Sequence, residues 1–201
     1  ILFNGQRLGY VVSIYHQLLG DIRRGHGQLF DFGQTDTFGV VAQWKNKEWQ
    51  MTIDFRMAKE ADLPALVGML ADDKLGQLRE DASLPLNESY LVAFKEIDKD
   101  PNNELVLMVL DSEIVAMLQL TFIPYLTYQG SWRCLIEGVR VDSKFRGKGL
   151  GNQLFSWSIE RAKERGCHLV QLTSDKQRPE ALKFYESLGF KASHEGFKLN
   201  I

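Results

Sequence analysis

The residues best suited to chemistry lie in one stretch, Val139-Arg140-Val141-Asp142-Ser143-Lys144-Phe145-Arg146-Gly147-Lys148-Gly149-Leu150-Gly151. A strand pattern runs into a loop with three alternate glycines, and the loop opens an amphipathic helix. Backbone N–H groups at a helix start lack intrahelical partners and carry partial positive charge. Glycines let a ligand approach those donors with no Cβ in the way. Arg146 and Lys148 add positive charge, so the spacing predicts an anion site suited to a phosphate or pyrophosphate. It is not the nucleoside-triphosphate loop: Lys148 is followed by Gly149, and Asp142 stands where that motif needs its first glycine. The dinucleotide fingerprint also fails, because Asn152 or Leu154 occupies the position of its last glycine. No G-x-S-x-G supports a serine hydrolase. His16 and His26 have no cysteine or carboxylate at ligand spacing, and His168 and His194 read as structural, so no metal site is expected.

The elements around this loop follow from pattern. Thr52 to Met57 alternates as a strand, and Lys59 to Leu70 has apolar residues at helical spacing behind the acids Glu60 and Asp62. A second helix is expected over Ser89 to Ile97. Leu105 to Leu110 and Ile114 to Phe122 read as strands joined by a tight turn at Asp111-Ser112-Glu113, and Trp132 to Val141 as another strand. Gly149 to Arg165 reads as a helix closed by Gly166, Leu169 to Thr173 as a strand, and Pro179 to Leu188 as a helix with Gly189 after it. Phe190 to Leu199 supplies the last strand material. Antiparallel strands followed by a βαβ-like crossover indicate a mixed α/β fold with helices covering the sheet.

Composition agrees with an ordinary globular chain of 201 residues, 44% hydrophobic and 25% charged, with a formal charge of −2. That charge argues against a general nucleic-acid binder, which is usually strongly basic. Cys134 and Cys167 are too few for a disulfide scaffold and fit a reducing, cytoplasmic setting. No apolar run approaches the length of a membrane span, and no secretory signal is visible. Residues 1–50 hold seven of the 17 glycines and no sustained apolar period, which sets a boundary near Met51, the first methionine. The expectation is an extension, 1–50, of unknown role, followed by a domain over 51–201. The extension is either upstream sequence ahead of a start at Met51 or a segment that packs on the domain or a partner.

Arg146-Gly147-Lys148-Gly149-Leu150-Gly151 resembles the [QR]-x-x-G-x-[GA] motif of the GCN5-related N-acetyltransferase (GNAT) family. Ile136 to Val141 is similar to the strand that precedes that motif. Ala181-Leu182-Lys183-Phe184-Tyr185-Glu186-Ser187-Leu188-Gly189-Phe190 is similar to the family's A-x-x-F-Y-x-x-x-G-F segment. The three occur in the family's order, and the resemblance covers roughly residues 52–201. It implies a splayed, largely antiparallel sheet and transfer of an acetyl group from acetyl-CoA to an unidentified primary amine, on a small molecule or a protein, and it admits a homodimer. The pantetheine arm would lie in the splay beside Val139, Arg140 and Val141. The pyrophosphate would sit on backbone from Arg146 through Gly147, Lys148, Gly149 and Leu150 to Gly151. Asp175 stands near a position where the family often has asparagine against the pantetheine, and Lys176, like Arg178, lines the cofactor rim or faces solvent. A non-catalytic acyl-CoA sensor with the same fold is the alternative.

Acetyl transfer to an amine needs a base for the ammonium and an acid for the departing thiolate. Glu137 is the base candidate. Strict strand alternation puts it on the face of Leu135, Val139 and Val141, where aliphatic neighbours would raise its pKa. The alternative is a carboxylate paired with Arg133 or Arg140. Tyr185 is the acid candidate, since a phenol is protonated at neutral pH; the alternative is core packing beside Phe184. For the acceptor, Leu75 to Asn87 reads as a lid, Tyr90, Phe94, Phe122, Tyr125 and Tyr128 as an aromatic wall, and Asp72, Asp73, Glu80 and Asp81 as attractors of a cation.

Overall fold

The computed structural model describes residues 39–40, 52–72 and 75–201. The expectations for His16, His26 and Asp73, and most of the 1–50 extension, lie outside the described residues.

Six strands form one sheet in chain order: β1 (Gly39–Val40), β2 (Ile53–Met57), β3 (Asn103–Leu110), β4 (Glu113–Pro124), β5 (Trp132–Val141) and β6 (Cys167–Leu172). All neighbours are antiparallel except β5 and β6. The parallel pair needs a crossover, and α3 (Leu150–Glu164) provides it. The β3–β4 turn uses Asp111 and Ser112 with φ of 49° and 71°, the left-handed pair that matches strand twist in a two-residue hairpin.

Helices cover both faces. On one, α1 (Leu63–Ala71) and α2 (Glu88–Lys99) bring Leu63, Leu66, Met69 and Phe94 onto Leu107 and Met117. On the other, α3 brings Leu150, Leu154, Phe155 and Ala162 onto Val106, Met108, Leu118, Leu120, Cys134 and Ile136, with α4 (Pro179–Ser187) alongside through Phe184 and Tyr185. The carboxylate of Glu104 fixes α3 across the sheet. It accepts from Arg161 Nε at 3.0 Å and Nη2 at 2.7 Å and is only 8% exposed. Such a pair is costly to break from one side, because the remaining buried charge loses its partner.

Two expectations change. The helix predicted from Lys59 starts as a 3-10 turn over Glu60–Asp62, because Asp62 turns its carboxylate back to Lys59 N–H and to Arg56. Residues 190–199 make no strand. Their apolar alternation is present, but the segment forms no ladder with β6, and Phe197 and Leu199 are exposed.

Candidate active site

Strand β6 pairs with β5 only as far as Ile136↔Leu172. The last five residues of β5, Glu137 to Val141, therefore run on with no partner on that side, and the sheet splays open there. Asp142 N–H donates to Val115 O at 2.9 Å, toward β4. Alternation then turns the N–H groups of Val141 and Val139 the other way, into the gap. Both carbonyls are held by arginines: Arg140 Nη1 donates to Val139 O at 2.8 Å, and Arg146 Nε to Val141 O at 3.0 Å.

The gap leads to the glycine loop. Asp142 accepts from Lys144 N–H and shapes a 3-10 turn over Ser143–Phe145. Gly147 and Gly149 both have φ of +76°, where only glycine is unstrained. A Cβ on either would meet no atom of the described residues within 4 Å, so among them the space over the loop is open. Gly149 is the N-cap of α3, whose first N–H groups have no intrahelical partner. This donor set fits a pyrophosphate. Lys148 lies over the Phe145 ring, 4.9 Å from its centroid. Gly151 is glycine for a different reason: a Cβ there would lie 3.2 Å from Phe184 Cζ, so its bareness lets α4 pack against α3.

Arg146 does more than supply charge. Its Nη2 donates to Asp72 O at 3.2 Å and Oδ2 at 3.0 Å, which ties the loop to the end of α1. The spacing in sequence, 74 residues, gives no hint of it.

Glu137 requires a correction. The β4–β5 register shifts between Met117 and Gln119, and Gly138, with φ of +60°, is the extra residue of a β-bulge. The bulge reverses the phase of alternation. Val139 and Val141 pack with Ile136 on the α3 side. Glu137, opposite Gln119, shares the α1–α2 side with Arg140, which is opposite Met117. Its side chain is exposed, so the aliphatic surroundings expected from strict alternation are absent. The signal was a glycine inside a strand pattern. A polar row leads across this face to Glu137: Asn103 Oδ1 accepts from Gln119 Nε2 at 3.0 Å and Thr121 Oγ1 at 2.8 Å, and Asn103 Nδ2 donates to Asp100 at 2.6 Å.

Tyr185 sits half-buried on α4 against Phe155, Phe184 and Phe190. Burial pushes its hydroxyl above the usual phenol range, and the charges of Arg178 and Arg140 oppose this in part. Asp175 uses its carboxylate locally, accepting from Gln177 N–H at 2.9 Å ahead of α4. Lys176 is highly exposed and pairs with Glu195 at 3.0 Å. Neither is directed at the loop by these contacts.

The acceptor-side expectations divide. Tyr90 anchors the 75–87 segment, donating to Glu80 at 3.0 Å and accepting from Asp81 N–H. Asp81 accepts from Ser83. Phe94 and Phe122 are core residues. Tyr125 and Tyr128 cluster with His168 where β5 and β6 begin, the end away from the splay. The five aromatics form no common wall. Cys134 is buried, which pushes its thiol up to about 12 and leaves it inert.

A family model described as acetyltransferase (GNAT) family matches residues 71–190, well over half of the chain. The chain belongs to the GNAT family. Among curated relatives, the GNAT chain is 32% identical over 98 residues to an aminoalkylphosphonate N-acetyltransferase of Salmonella typhimurium, a match covering 49% of this chain and 63% of that protein. It is 36% identical over 88 residues to a glucosamine 6-phosphate N-acetyltransferase of Trypanosoma brucei brucei, covering 44% and 58%. The match thus spans about three fifths of either curated relative's length. Among solved structures, a transcriptional regulator from Bacillus halodurans C-125 is 64% identical, with a TM-score of 0.72 over 74% of this chain and 99% of that one. The GNAT assignment agrees with the mixed, splayed sheet.

Proposed function

We propose that this chain is an N-acetyltransferase that moves the acetyl group of acetyl-CoA to a primary amine. One observation carries the reading: a strand that loses its neighbour at Ile136 and runs unpaired into an open, left-handed glycine loop at a helix N-terminus. Bound acetyl-CoA would supply the thioester. The N–H groups of Val139 and Val141 would hold its pantetheine, and backbone from Arg146 to Gly151 its pyrophosphate. Glu137 takes the proton of the acceptor ammonium, directly or through water. Exposure on the α1–α2 side leaves it accessible to an incoming amine. Tyr185 keeps its proton at neutral pH, because burial raises its pKa, and donates it to the departing thiolate. Arg140 and Arg178 stabilise negative charge beside it.

We further propose that the acceptor carries a phosphate or phosphonate. The two curated relatives are named for amines of that kind. Arg140, opposite Met117, shares the α1–α2 side of β5 with Glu137, so a cation and a carboxylate stand on one face of the splayed strand. That pair complements an anionic group and an ammonium on one small molecule. Thiol release from acetyl-CoA tests both proposals across matched amines with and without a phosphoryl or phosphonyl group. Faster release with the anionic amines is the expected result. Equal release across the pairs removes the anionic requirement, and no release with any amine removes the enzyme.

A second reading, an acyl-CoA-binding module without turnover, is favoured by the description of the 64% identical relative as a transcriptional regulator. Coenzyme A binding with no thiol release under any amine would select it.

A further inference from the structure

Gln119 stands directly opposite Glu137 across the β4–β5 ladder, on the α1–α2 side. Directly opposed residues on one face have Cβ atoms about 5 Å apart. Gln119 is also held in one orientation, by a chain of hydrogen bonds that starts at the far end of α2.

Asp100 is the C-cap of α2, and both oxygens of its carboxylate are committed. Oδ1 accepts from Asn102 N–H at 2.9 Å and Oδ2 from Asn103 Nδ2 at 2.6 Å. A carboxylate only accepts, so Asn103 turns its NH2 group to Asp100 and its carbonyl to β4. That carbonyl accepts from Thr121 Oγ1 at 2.8 Å and from Gln119 Nε2 at 3.0 Å, which uses both of its lone pairs. Gln119 therefore points its NH2 group at β3. The two polar atoms of a planar amide point apart, so its Oε1 is turned away from β3, and the strand on β4's other flank is β5 with Glu137. No described residue donates to Gln119 Oε1 or to the Glu137 carboxylate. Two neighbouring acceptors with no donor between them suit a donor-rich cation, and a primary ammonium brings three N–H groups.

We propose that Gln119 Oε1 accepts one N–H of the acceptor amine beside Glu137, and that Asp100, acting through Asn103, is the positioning residue that keeps this oxygen toward the substrate. The proposal rests on the N-acetyltransferase reading. Glu137 removes one proton from the ammonium and Gln119 holds another. Held there, the neutral amine does not turn about its C–N bond, and its lone pair is oriented for attack on the thioester carbon. The C–N bond forms, the C–S bond breaks, and the thiolate takes its proton from Tyr185.

Asp100→Asn tests the relay, because a backbone N–H cannot reverse. Asn102 N–H keeps the oxygen of the new amide, so the new NH2 group faces Asn103. Asn103 and then Gln119 must turn over, and Gln119 meets the amine with N–H in place of its carbonyl. The readout is thiol release at saturating acetyl-CoA, with glucosamine 6-phosphate, aminomethylphosphonate and their phosphorus-free counterparts as acceptors. With the acceptor that the parent turns over fastest, Asp100→Asn should raise the amine KM at least about tenfold, the scale of a lost hydrogen bond to a charged group. Coenzyme A affinity and far-ultraviolet circular dichroism should match the parent. Gln119→Met, which removes the acceptor, should raise KM alike. Adding Gln119→Glu to Asp100→Asn should bring KM back down, since a carboxylate accepts from the turned Asn103 and still offers an oxygen to the amine. Alone, Gln119→Glu sets its carboxylate against the Asn103 carbonyl and should lower the urea midpoint, and Asp100→Asn added to it should restore that midpoint. A parental amine KM in Asp100→Asn or in Gln119→Met overturns the proposal and leaves the transfer standing. So does a double variant no better than Asp100→Asn. No thiol release from the parent with any amine overturns the transfer and this proposal together.

Discussion

Glu137 and Val139 are two residues apart on one strand, yet they face opposite sides of the sheet. The bulge at Gly138 separates them. The bulge turns Val139 to the α3-side core, while Glu137 stays on the α1–α2 side with its side chain exposed. One extra residue thus lets a single strand turn backbone N–H groups into the splay and a carboxylate to the opposite side, the division that the proposed transfer uses.

Glu137→Gln tests the acceptor side of that division. Gln keeps the shape but takes no proton, so any ascending limb that the carboxylate sets in the pH profile of kcat/KM should vanish. The acceptor amine also ionises. Repeating the profile with amines of different pKa separates the two origins, because a substrate limb moves with the amine. A profile unchanged for every amine would assign the base elsewhere.

Gly149→Val should cost at least about tenfold in coenzyme A affinity, or ~1.4 kcal/mol, by calorimetric titration. The backbone there has φ of +76°, and among the described residues nothing occupies the space over it, so a Val side chain would enter the room proposed for the ligand. Circular dichroism should remain that of the parent. Unchanged affinity in a folded variant would take the loop out of the cofactor site.

Tyr185→Phe should lower kcat by roughly 10²-fold while leaving coenzyme A affinity nearly unchanged, since the ring still packs on Phe155. The sign of the pH effect follows from the shift. An acid must be protonated, and burial raises this phenol above its ordinary value of about 10. Its loss of activity therefore falls above pH 10, and the neutral range should be flat on its account. Full activity in the Phe variant at saturating substrates would leave the ring as packing alone.

Asp62→Asn tests the start of the acceptor-side helices. Arg56 binds both carboxylate oxygens, at 2.7 Å and 2.9 Å, and holds Asp62 below the usual carboxylate range. A depressed pKa contributes stability above the unfolded value of about 3.9, lost as pH falls through the lower folded value. Urea unfolding should show a cost of about 1.5–3 kcal/mol at pH 7, the scale of a charged hydrogen bond. Below both pKa values the two proteins should converge. An equal gap at neutral and acid pH would separate the effect from this carboxylate's charge.

Local pattern determined most of the architecture. Alternation set β2 to β6 to within a few residues, Gly166 and Gly189 closed their helices with positive φ, and three glycines before an amphipathic run marked the left-handed loop proposed to hold an anion. These features depend on neighbours in the chain, so the residues themselves disclose them. Tertiary structure decided what depends on a second strand or a distant side chain. The face of Glu137 depends on the register of β5 against β4. Gly151 is bare because Phe184, 33 positions on, needs the space. Asp72 meets Arg146 only when α1 packs over the sheet beside the loop. The segment 190–199 has the period of a strand but no ladder, because a strand exists only where another edge completes its hydrogen bonds, and periodicity carries no information about that edge.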